Sequence, residues 1–566
     1  MKIIVSVLLL SAPQAYAKDY CVAIRGNGEN AAAHWAGLAR MVEEQGMPAG
    51  AAGGSSATVS MFFLDSIAGN PAVTAEKNAK KKRQMQALLL KSLPQFVTTM
   101  GERDNIAGAY NFIGELSKNK SDLKASAAKV FEGAGKLDSK QVKKAFHKYG
   151  PLVNPEMLQG LAKSPNFFRK EAQEGLAVFG KFDASKDEKL FFRPGLVDFK
   201  SFSVILGTIA DFYAGNTDPK TQRALDAYTR RCAGDSFGKA WQKSREACKK
   251  RFEKIVGDYL DRGKFQNKAL FSPVGNHISA LPTTSLVKGE GMAKYEELKA
   301  AYNNGEKRDY GKFSVNFDRD VEFGYWGKKR DLARADRGLE SDRRAGDLKA
   351  QKFKALGGAN WFEVLAVSPA EPGLANLQAI PQKTSREQVL AELKKPVLDR
   401  WKGLNYRSDM LSAGGWSDLA PVGVLKAMGC NSVTYLTRKG GDTIFGQQVL
   451  IKLAGDKENV PFWMNIKDQN AEGWNTAGTA AEKTAWNRLS NRGNLNSSLQ
   501  NSMRKADSFY CTDWDAYEVF GGQMWPMVDE AYAAGLNSRK TEAGCHGMKL
   551  PQAEAVAEDV MEKSAL

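Results

Sequence analysis

Residues 20–67 read YCVAIRGNGENAAAHWAGLARMVEEQGMPAGAAGGSSATVSMFFLDSI and contain the clearest alternation of strand and helix patterns in the chain. The short apolar run from Tyr20 to Ile24 ends at a glycine-rich turn, and the apolar residues that follow recur at helical spacing. A small-residue run from Ala49 to Gly54 then leads to Ser55, after which helical spacing returns. The stretch therefore predicts strand, turn, helix, strand, sharp turn and helix, with Ser55 on the second turn.

A serine between a strand end and a helix start has a specific chemical use. Such a turn lifts the hydroxyl out of the sheet, and the helix N-terminus offers N–H groups and a positive dipole to a developing oxyanion. Residues 53–57, G-G-S-S-A, match the nucleophile pattern G-x-S-x-G except that alanine replaces the last glycine. Serine is also a common N-cap residue, so the alternative is a capping turn without chemistry.

The upstream turn, residues 26–31, reads G-N-G-E-N-A. It resembles the oxyanion loop of patatin-like phospholipases, G-G-G-x-R-G, and its distance from Ser55 is also similar to that family. The resemblance implies that the backbone around Gly26, Asn27 and Gly28 forms an oxyanion hole. This chain has asparagine in place of the second glycine and of the arginine, so the positive charge of that arginine is missing.

A second block, residues 410–422, reads MLSAGGWSDLAPV and is followed by a predicted helix and a strand over 432–437. It resembles the D-G-G block of the same family, which precedes a Pro-Val pair, a helix and a buried strand. Ala413 stands where that family has its catalytic aspartate, and alanine cannot accept a proton. Three explanations are open: Asp418 is the base instead, the chain is a pseudoenzyme that kept the binding cleft, or residue 413 has been substituted.

The resemblance covers roughly residues 18–70 and 400–440 and implies an α/β fold. We expect a patatin-like three-layer core with a central, mostly parallel sheet, a large helical insertion and a C-terminal extension. The implied activity is that of a serine acyl hydrolase of the phospholipase A or lysophospholipase type. Ser55 would be the nucleophile and Asp418 the base, with no metal and no cofactor.

Two alternatives belong to other classes. Ala413 favours an inactive patatin-like protein that serves as an exported binding or interaction protein. An α/β-hydrolase with a Ser-His-Asp triad would need His546 as its base, but nothing around His546 resembles a loop at a strand end.

The order of patterns along the chain predicts five segments. A basic start, a short apolar run and an A-x-A motif predict a secretory signal peptide and thus a periplasmic or secreted protein. Within the second part of the core, the apolar run from Trp361 to Val367 is interpreted as a buried strand, and 328–347 as an exposed helix or a loop. The predicted segments are a signal peptide (1–17), two parts of the core (18–74 and 270–455), a helical insertion (75–269) and a C-terminal extension (456–566).

The net charge indicates the kind of partner, and the cysteines bear on the compartment in which the protein lies. The net charge of +17 predicts anionic partners, and an exported chain meets phospholipid more readily than nucleic acid. We therefore expect a phospholipid or another acyl-ester lipid as substrate and an anionic membrane surface as partner. Six cysteines in an exported chain can pair, and nearest-neighbour pairing gives Cys232–Cys248 and Cys511–Cys545, which leaves Cys21–Cys430. No C-x-x-C motif occurs and the four histidines are scattered, so zinc and haem sites are not indicated.

Overall fold

The computed structural model describes residues 18–26, 31–103, 198–233, 239–287, 321–344, 353–370, 378–396, 399–412, 421–438 and 506–512, and single positions at 293, 297, 300, 301, 304, 306 and 414. The strands are β1 Lys18–Ile24, β2 Gly50–Gly54, β3 Ser279–Val287, β4 Val321–Trp326, β5 Lys354–Gly357, β6 Gln378–Pro381, β7 Tyr406–Ser412, β8 Cys430–Arg438 and β9 Ser508–Thr512. The helices are α1 Ala31–Gln45, α2 Ser56–Ala68, α3 Pro71–Ala75, α4 Ala79–Arg103, α5 Phe199–Ala214, α6 Pro219–Cys232, α7 Lys239–Arg262, α8 Lys329–Arg344, α9 Trp361–Leu365, α10 Arg386–Leu393 and α11 Val422–Met428.

These strands form one mostly parallel sheet. The order is β5-β4-β3-β2-β1-β8-β9, with β7 beside β3 and β6 beside β7. The run β3-β2-β1-β8-β9 is parallel throughout, whereas β4 and β7 are antiparallel to β3. Along the described chain, helices lie between β1 and β2 and between β2 and β3, as is usual for crossover connections between parallel strands. The predicted α/β class with a mostly parallel sheet is confirmed.

Helices cover both faces of the sheet. Val22 and Ile24 of β1 contribute to an apolar cluster with α1, α2 and α4 to α7, whereas Cys21 and Ala23 point into a second cluster with α8 and α11. All four side chains are fully buried, because a central parallel strand has helices on both sides. The expected three layers are therefore present. The described part of the predicted helical insertion belongs to the first cluster, while the segment boundaries stay predictions.

Strand β2 forms although its sequence, GAAGG, has little intrinsic preference for a strand. Its position between β1 and β3 supplies hydrogen-bond partners on both edges. Small residues are needed here, because a Cβ atom added to Gly53 would lie 2.6 Å from the Ala57 Cβ and 2.6 Å from the Ile24 carbonyl oxygen. The lack of side chains lets α2 pack directly on the strand from which it emerges.

The carboxyl ends of β2 and β7 meet on the same edge of β3. Gly54, the last residue of β2, pairs with Thr283. Strand β7 runs in the opposite direction, and its last residue, Ser412, pairs with Ser285. The chain beyond β7 therefore reaches β3 where β2 stops. This topology brings the block around residue 414 to the turn at Ser55.

The interpretation of 361–367 as a buried strand is wrong. Trp361–Leu365 forms the short helix α9, which starts with a capping box in which Asn360 and Glu363 exchange side-chain to backbone hydrogen bonds. A short apolar run does not distinguish a buried helix from a buried strand by periodicity. The N-cap signal Asn-x-x-Glu was present and decides the outcome.

Strand β9 adds an edge to the sheet that the sequence patterns did not predict. Ser508–Thr512 pairs in parallel with β8, and Phe509 and Tyr510 are buried. This part of the predicted C-terminal extension therefore belongs to the central sheet.

Two of the three expected disulfides are present. Cys21–Cys430 joins β1 to the start of β8 across a sequence separation of 409, and Cys232–Cys248 joins α6 to α7. Both predicted pairings are confirmed, and Cys511–Cys545 lies outside the described side chains. No helix among the described residues is long and apolar enough to cross a membrane.

Candidate active site

Ser55 lies on the turn between β2 and α2, with φ 58° and ψ −130°. This backbone conformation is sterically unfavourable for a residue with a Cβ atom and costs on the order of 1–3 kcal/mol. The residue is 7% exposed and therefore buried. A strained serine between a strand and a helix is the geometry of a nucleophile elbow.

Ser55 does not cap α2 in the way that N-cap serines do. An N-cap residue adopts extended dihedrals, and its side chain accepts a hydrogen bond from the second or third helical amide. Ser55 has neither feature, since its φ is positive and its side chain makes no capping hydrogen bond. By contrast, Asn70 accepts from the amides of Ala72 and Val73 at the start of α3. The capping turn, which was the alternative interpretation, does not describe this geometry.

Gly26, the first residue of the predicted oxyanion loop, touches the turn. A Cβ atom added to Gly26 would lie 3.2 Å from the Ser55 Cβ and 3.0 Å from the Gly54 carbonyl oxygen. A larger residue here would require the turn to shift by a few tenths of an ångström, so glycine suits this close approach. The loop that follows therefore starts within contact distance of the serine.

Gly414 of the second block packs against Gly54 at the same turn. A Cβ atom added to Gly414 would lie 2.7 Å from the Gly54 Cα, and one added to Gly54 would lie 2.6 Å from the Gly414 Cα. Two glycines in direct backbone contact hold the chain beyond β7 against the β2 turn. The two blocks that carry the family resemblance thus lie together, although they are far apart in sequence.

A buried serine that the sequence interpretation missed connects these parts. Ser368 is 0% exposed, and its hydroxyl accepts the Ser55 amide N–H at 3.2 Å and donates to the Thr283 carbonyl at 2.7 Å. The Thr58 hydroxyl lies 2.7 Å from the same oxygen and, since the Ser368 proton is already donated, acts as the donor. The Ser368 carbonyl accepts the Gly414 amide N–H at 3.1 Å. One residue therefore joins α2, β3 and the second block.

Ser368 is itself held by α9. Its amide donates to the Val364 carbonyl at 2.8 Å, which continues the helix by one turn. Glu363 anchors α9 by accepting the amides of Asn360 and Thr384, and burial raises the pKa of its carboxyl. No pattern in the sequence marks Ser368, because its partners belong to distant segments.

The other end of α2 is fixed by a buried carboxylate. Asp65 accepts the backbone N–H groups of Asn276, His277 and Ile278, which precede β3, and the indole N–H of Trp361. These four hydrogen bonds tie α2 to β3 and α9. The helix that follows Ser55 is thus fixed at both ends.

The arrangement suits acyl transfer to a serine. Because α2 begins at Ser56, its first-turn N–H groups and the positive end of its dipole face the turn. The Ser55 amide donates to the Ser368 hydroxyl, so this amide is not an oxyanion donor in this arrangement. Asn27, Gly28, Ala413, Asp418 and His546 lie outside the described residues.

The described residues contain no cluster of three or more histidine, cysteine, aspartate or glutamate side chains that could hold a metal ion. His34 is buried, and its Nδ1 lies 3.2 Å from the Ser60 hydroxyl, which in turn donates to the Ser56 carbonyl. This contact joins α1 to α2. His34 therefore lies next to the second turn of α2.

No protein-family model, curated protein or solved structure matches this chain significantly.

Proposed function

We propose that this chain is an exported, patatin-like serine acyl hydrolase that acts on lipid esters. Ser55 is the nucleophile, Asp418 the base, and the backbone around Gly26, Asn27 and Gly28 the oxyanion hole. The observation that carries the proposal is the backbone of Ser55, which is strained, turned away from a capping geometry and tied to the fold by Ser368. Strain of this kind persists where the surrounding structure imposes it, and it clusters at active sites.

The contacts around the turn support the same proposal. The start of the glycine loop and the block containing Gly414 both touch the Ser55 turn. A carboxylate from the chain after β7 could therefore take the hydroxyl proton without a histidine. Asp418 is the carboxylate in that block.

The reaction proceeds in two steps with one base. The carboxylate takes the Ser55 proton as the oxygen attacks the ester carbonyl, and the resulting oxyanion is stabilised by backbone N–H groups. The intermediate expels the alcohol, which receives the proton, and leaves an acyl-enzyme. Water then gives a proton to the carboxylate, attacks the acyl carbonyl, and releases the fatty acid as the proton returns to Ser55.

The test uses a short-chain ester and a fluorophosphonate probe, which labels only activated serines. We expect the wild-type protein to hydrolyse the ester and to be labelled, and Ser55→Ala to lose both properties. Ser56→Ala is the matched control, because it removes a neighbouring hydroxyl and keeps the amide. Labelling of Ser55→Ala at the wild-type rate would exclude Ser55 as the nucleophile.

Two further variants test the base. Asp418→Asn should reduce the rate of ester hydrolysis by several orders of magnitude if Asp418 takes the proton, whereas a structural Asp418 would leave the rate nearly unchanged. Ala413→Asp restores the D-G-G pattern in the block that contacts Gly54 of the Ser55 turn. A gain of activity only in Ala413→Asp would assign the wild-type chain to the inactive class.

Ala413 favours a second candidate function, an exported binding protein built on an inactive core. In that case the wild-type protein binds lipid but is not labelled by the fluorophosphonate. Export itself is supported by the two disulfides, because disulfides persist mainly in oxidising compartments. Mass spectrometry of the N-terminus of the purified exported protein tests the predicted cleavage after Ala17.

A further inference from the structure

Helices α6 and α7 form an antiparallel hairpin with a defined register. Cys232 is bonded to Cys248, the rings of Tyr228 and Phe252 are 5.1 Å apart, and Asp218 pairs with Arg262. These three contacts run from one end of the hairpin to the other. The backbone positions that carry the outer side chains therefore have a fixed register.

The outer face next to the disulfide carries a cluster of cations. Arg230 and Arg231 on α6 and Arg251 and Lys254 on α7 are exposed, and none of them forms a salt bridge with another described residue. We name these four side chains the basic patch. Lys250 lies beside it and pairs with Glu246 at 3.9 Å.

Most acidic residues of the hairpin have partners outside this patch, and Asp226, one turn before Arg230, accepts a hydrogen bond from the Gln222 side chain. Glu253 is engaged by Gln95 and by Lys249, and Asp261 pairs with Arg103 of α4. Asp258 is exposed one turn beyond Lys254 and marks the edge of the patch. The described surface next to the disulfide thus has an excess of positive charge.

The described side chains on the exposed surface of the hairpin offer almost no apolar area. Among its exposed described residues only Pro219, Ala227 and Ala247 are uncharged. A surface of this composition binds by charge and does not insert into a hydrocarbon layer. The partner that fits it is an extended array of anions rather than an apolar groove.

We propose that the basic patch docks the protein onto the anionic head groups of a phospholipid bilayer. This inference rests on the proposed function for the choice of a lipid surface, since a lipid hydrolase has to reside where its substrate lies. The hairpin packs on the helical layer that also contains α2, so docking there places that layer against the bilayer. Each cation near an anionic bilayer strengthens binding roughly fivefold.

The test measures co-sedimentation with vesicles of phosphatidylcholine alone or mixed with phosphatidylglycerol. Ser55→Ala serves as the parent protein, so that hydrolysis does not consume the vesicles. We expect binding to the mixed vesicles only, a loss of binding at high salt, and an approximately hundredfold weaker partition coefficient in Arg230→Gln/Arg231→Gln/Arg251→Gln.

The matched control, Lys329→Gln/Arg337→Gln/Lys354→Gln, removes the same number of exposed charges on α8 and β5, beyond the opposite cluster. The control should bind as the parent does. Equal binding of the patch variant and the parent, equal loss in both triple variants, or equal binding to uncharged vesicles would each overturn the proposal. Tighter binding to RNA than to the mixed vesicles would also overturn it.

Vesicle binding and ester hydrolysis can be tested independently of each other. Hydrolysis of a soluble short-chain ester by the wild-type protein tests catalysis without a membrane. Binding through the patch in a protein without esterase activity would leave the docking surface intact and remove only the catalytic assignment. An unchanged urea midpoint in the triple variants shows that the disulfide-linked hairpin is still folded.

Discussion

Replacement of Ser368 by alanine should loosen the Ser55 turn while leaving every predicted catalytic group in place. The substitution removes the acceptor of the Ser55 amide and of the Thr58 hydroxyl, and the donor to the Thr283 carbonyl. The Ser55 amide cannot rotate toward a new acceptor. As a buried unpaired donor it should lower the free energy of unfolding by about 1–3 kcal/mol. The Thr58 hydroxyl can rotate, which adds about 1 kcal/mol, so that the expected loss of unfolding free energy is about 2–4 kcal/mol.

Urea denaturation with intact disulfides measures this loss, and the rate of fluorophosphonate labelling reports on the turn. We expect labelling to slow by about tenfold to a hundredfold at temperatures at which both proteins are folded, because small displacements of a reacting group are costly. Ser66→Ala is the matched control. Its hydroxyl is also buried on α2, but it donates only to the Phe62 carbonyl in the preceding turn, at 2.8 Å.

Ser368 does not hold the Ser55 turn if Ser368→Ala loses no more stability than Ser66→Ala and is labelled at the wild-type rate. A loss of stability with unchanged labelling would show that Ser368 supports the core but does not position the nucleophile. A double-mutant cycle with Thr58→Val then measures the coupling between the two hydroxyls.

Backbone strain, steric overlap and burial each have a measurable effect on the free energy of unfolding. Ser55→Gly should be more stable than Ser55→Ala by about 1 kcal/mol in urea denaturation, because glycine tolerates the φ of 58°; equal stability would contradict the strained backbone. Gly414→Ala should lose about 3 kcal/mol or more of unfolding free energy, since its Cβ would overlap the Gly54 backbone. The control Gly358→Ala, whose Cβ would have no atom within 4 Å, should have nearly the wild-type stability. Burial raises the pKa of the Asp211 carboxyl, so the folded state binds the carboxyl proton more tightly than the unfolded state does. The free energy of unfolding should therefore fall as pH rises from about 4 through the pKa of the folded state. In Asp211→Asn that part of the pH dependence should disappear from the unfolding free energy, and an unchanged slope would refute the assignment.

Local sequence patterns were sufficient to predict the structure wherever residues adjacent in the chain determine it. The glycines before Ser55 and the helical spacing after it predicted the turn correctly, because both elements are built from consecutive residues. The same patterns failed at Trp361, where a capping box outweighed an apolar run that suits either element.

Long-range contacts could not be predicted in this way. Ser368 acquires its role only when β3, α2 and the chain after β7 converge on its hydroxyl and carbonyl, and no spacing in the sequence reports that convergence. Strand β9 is likewise a short segment whose partner, β8, lies about seventy residues upstream. The resemblance to a known family proposed which blocks meet, but not what holds them together.

The position of β1 has a consequence for the order of folding. This strand is among the first described residues of the chain, yet one of its two partners is β8, which ends at Arg438. Until that residue has been synthesised, β1 exposes an unpaired edge, and Cys21 has no Cys430 with which to react. Closure of the sheet is therefore a late and slow event, as expected for non-local strand pairing. A nascent chain interrupted before residue 430 should present an adhesive edge to other chains, and chaperones that recognise such edges should retain it.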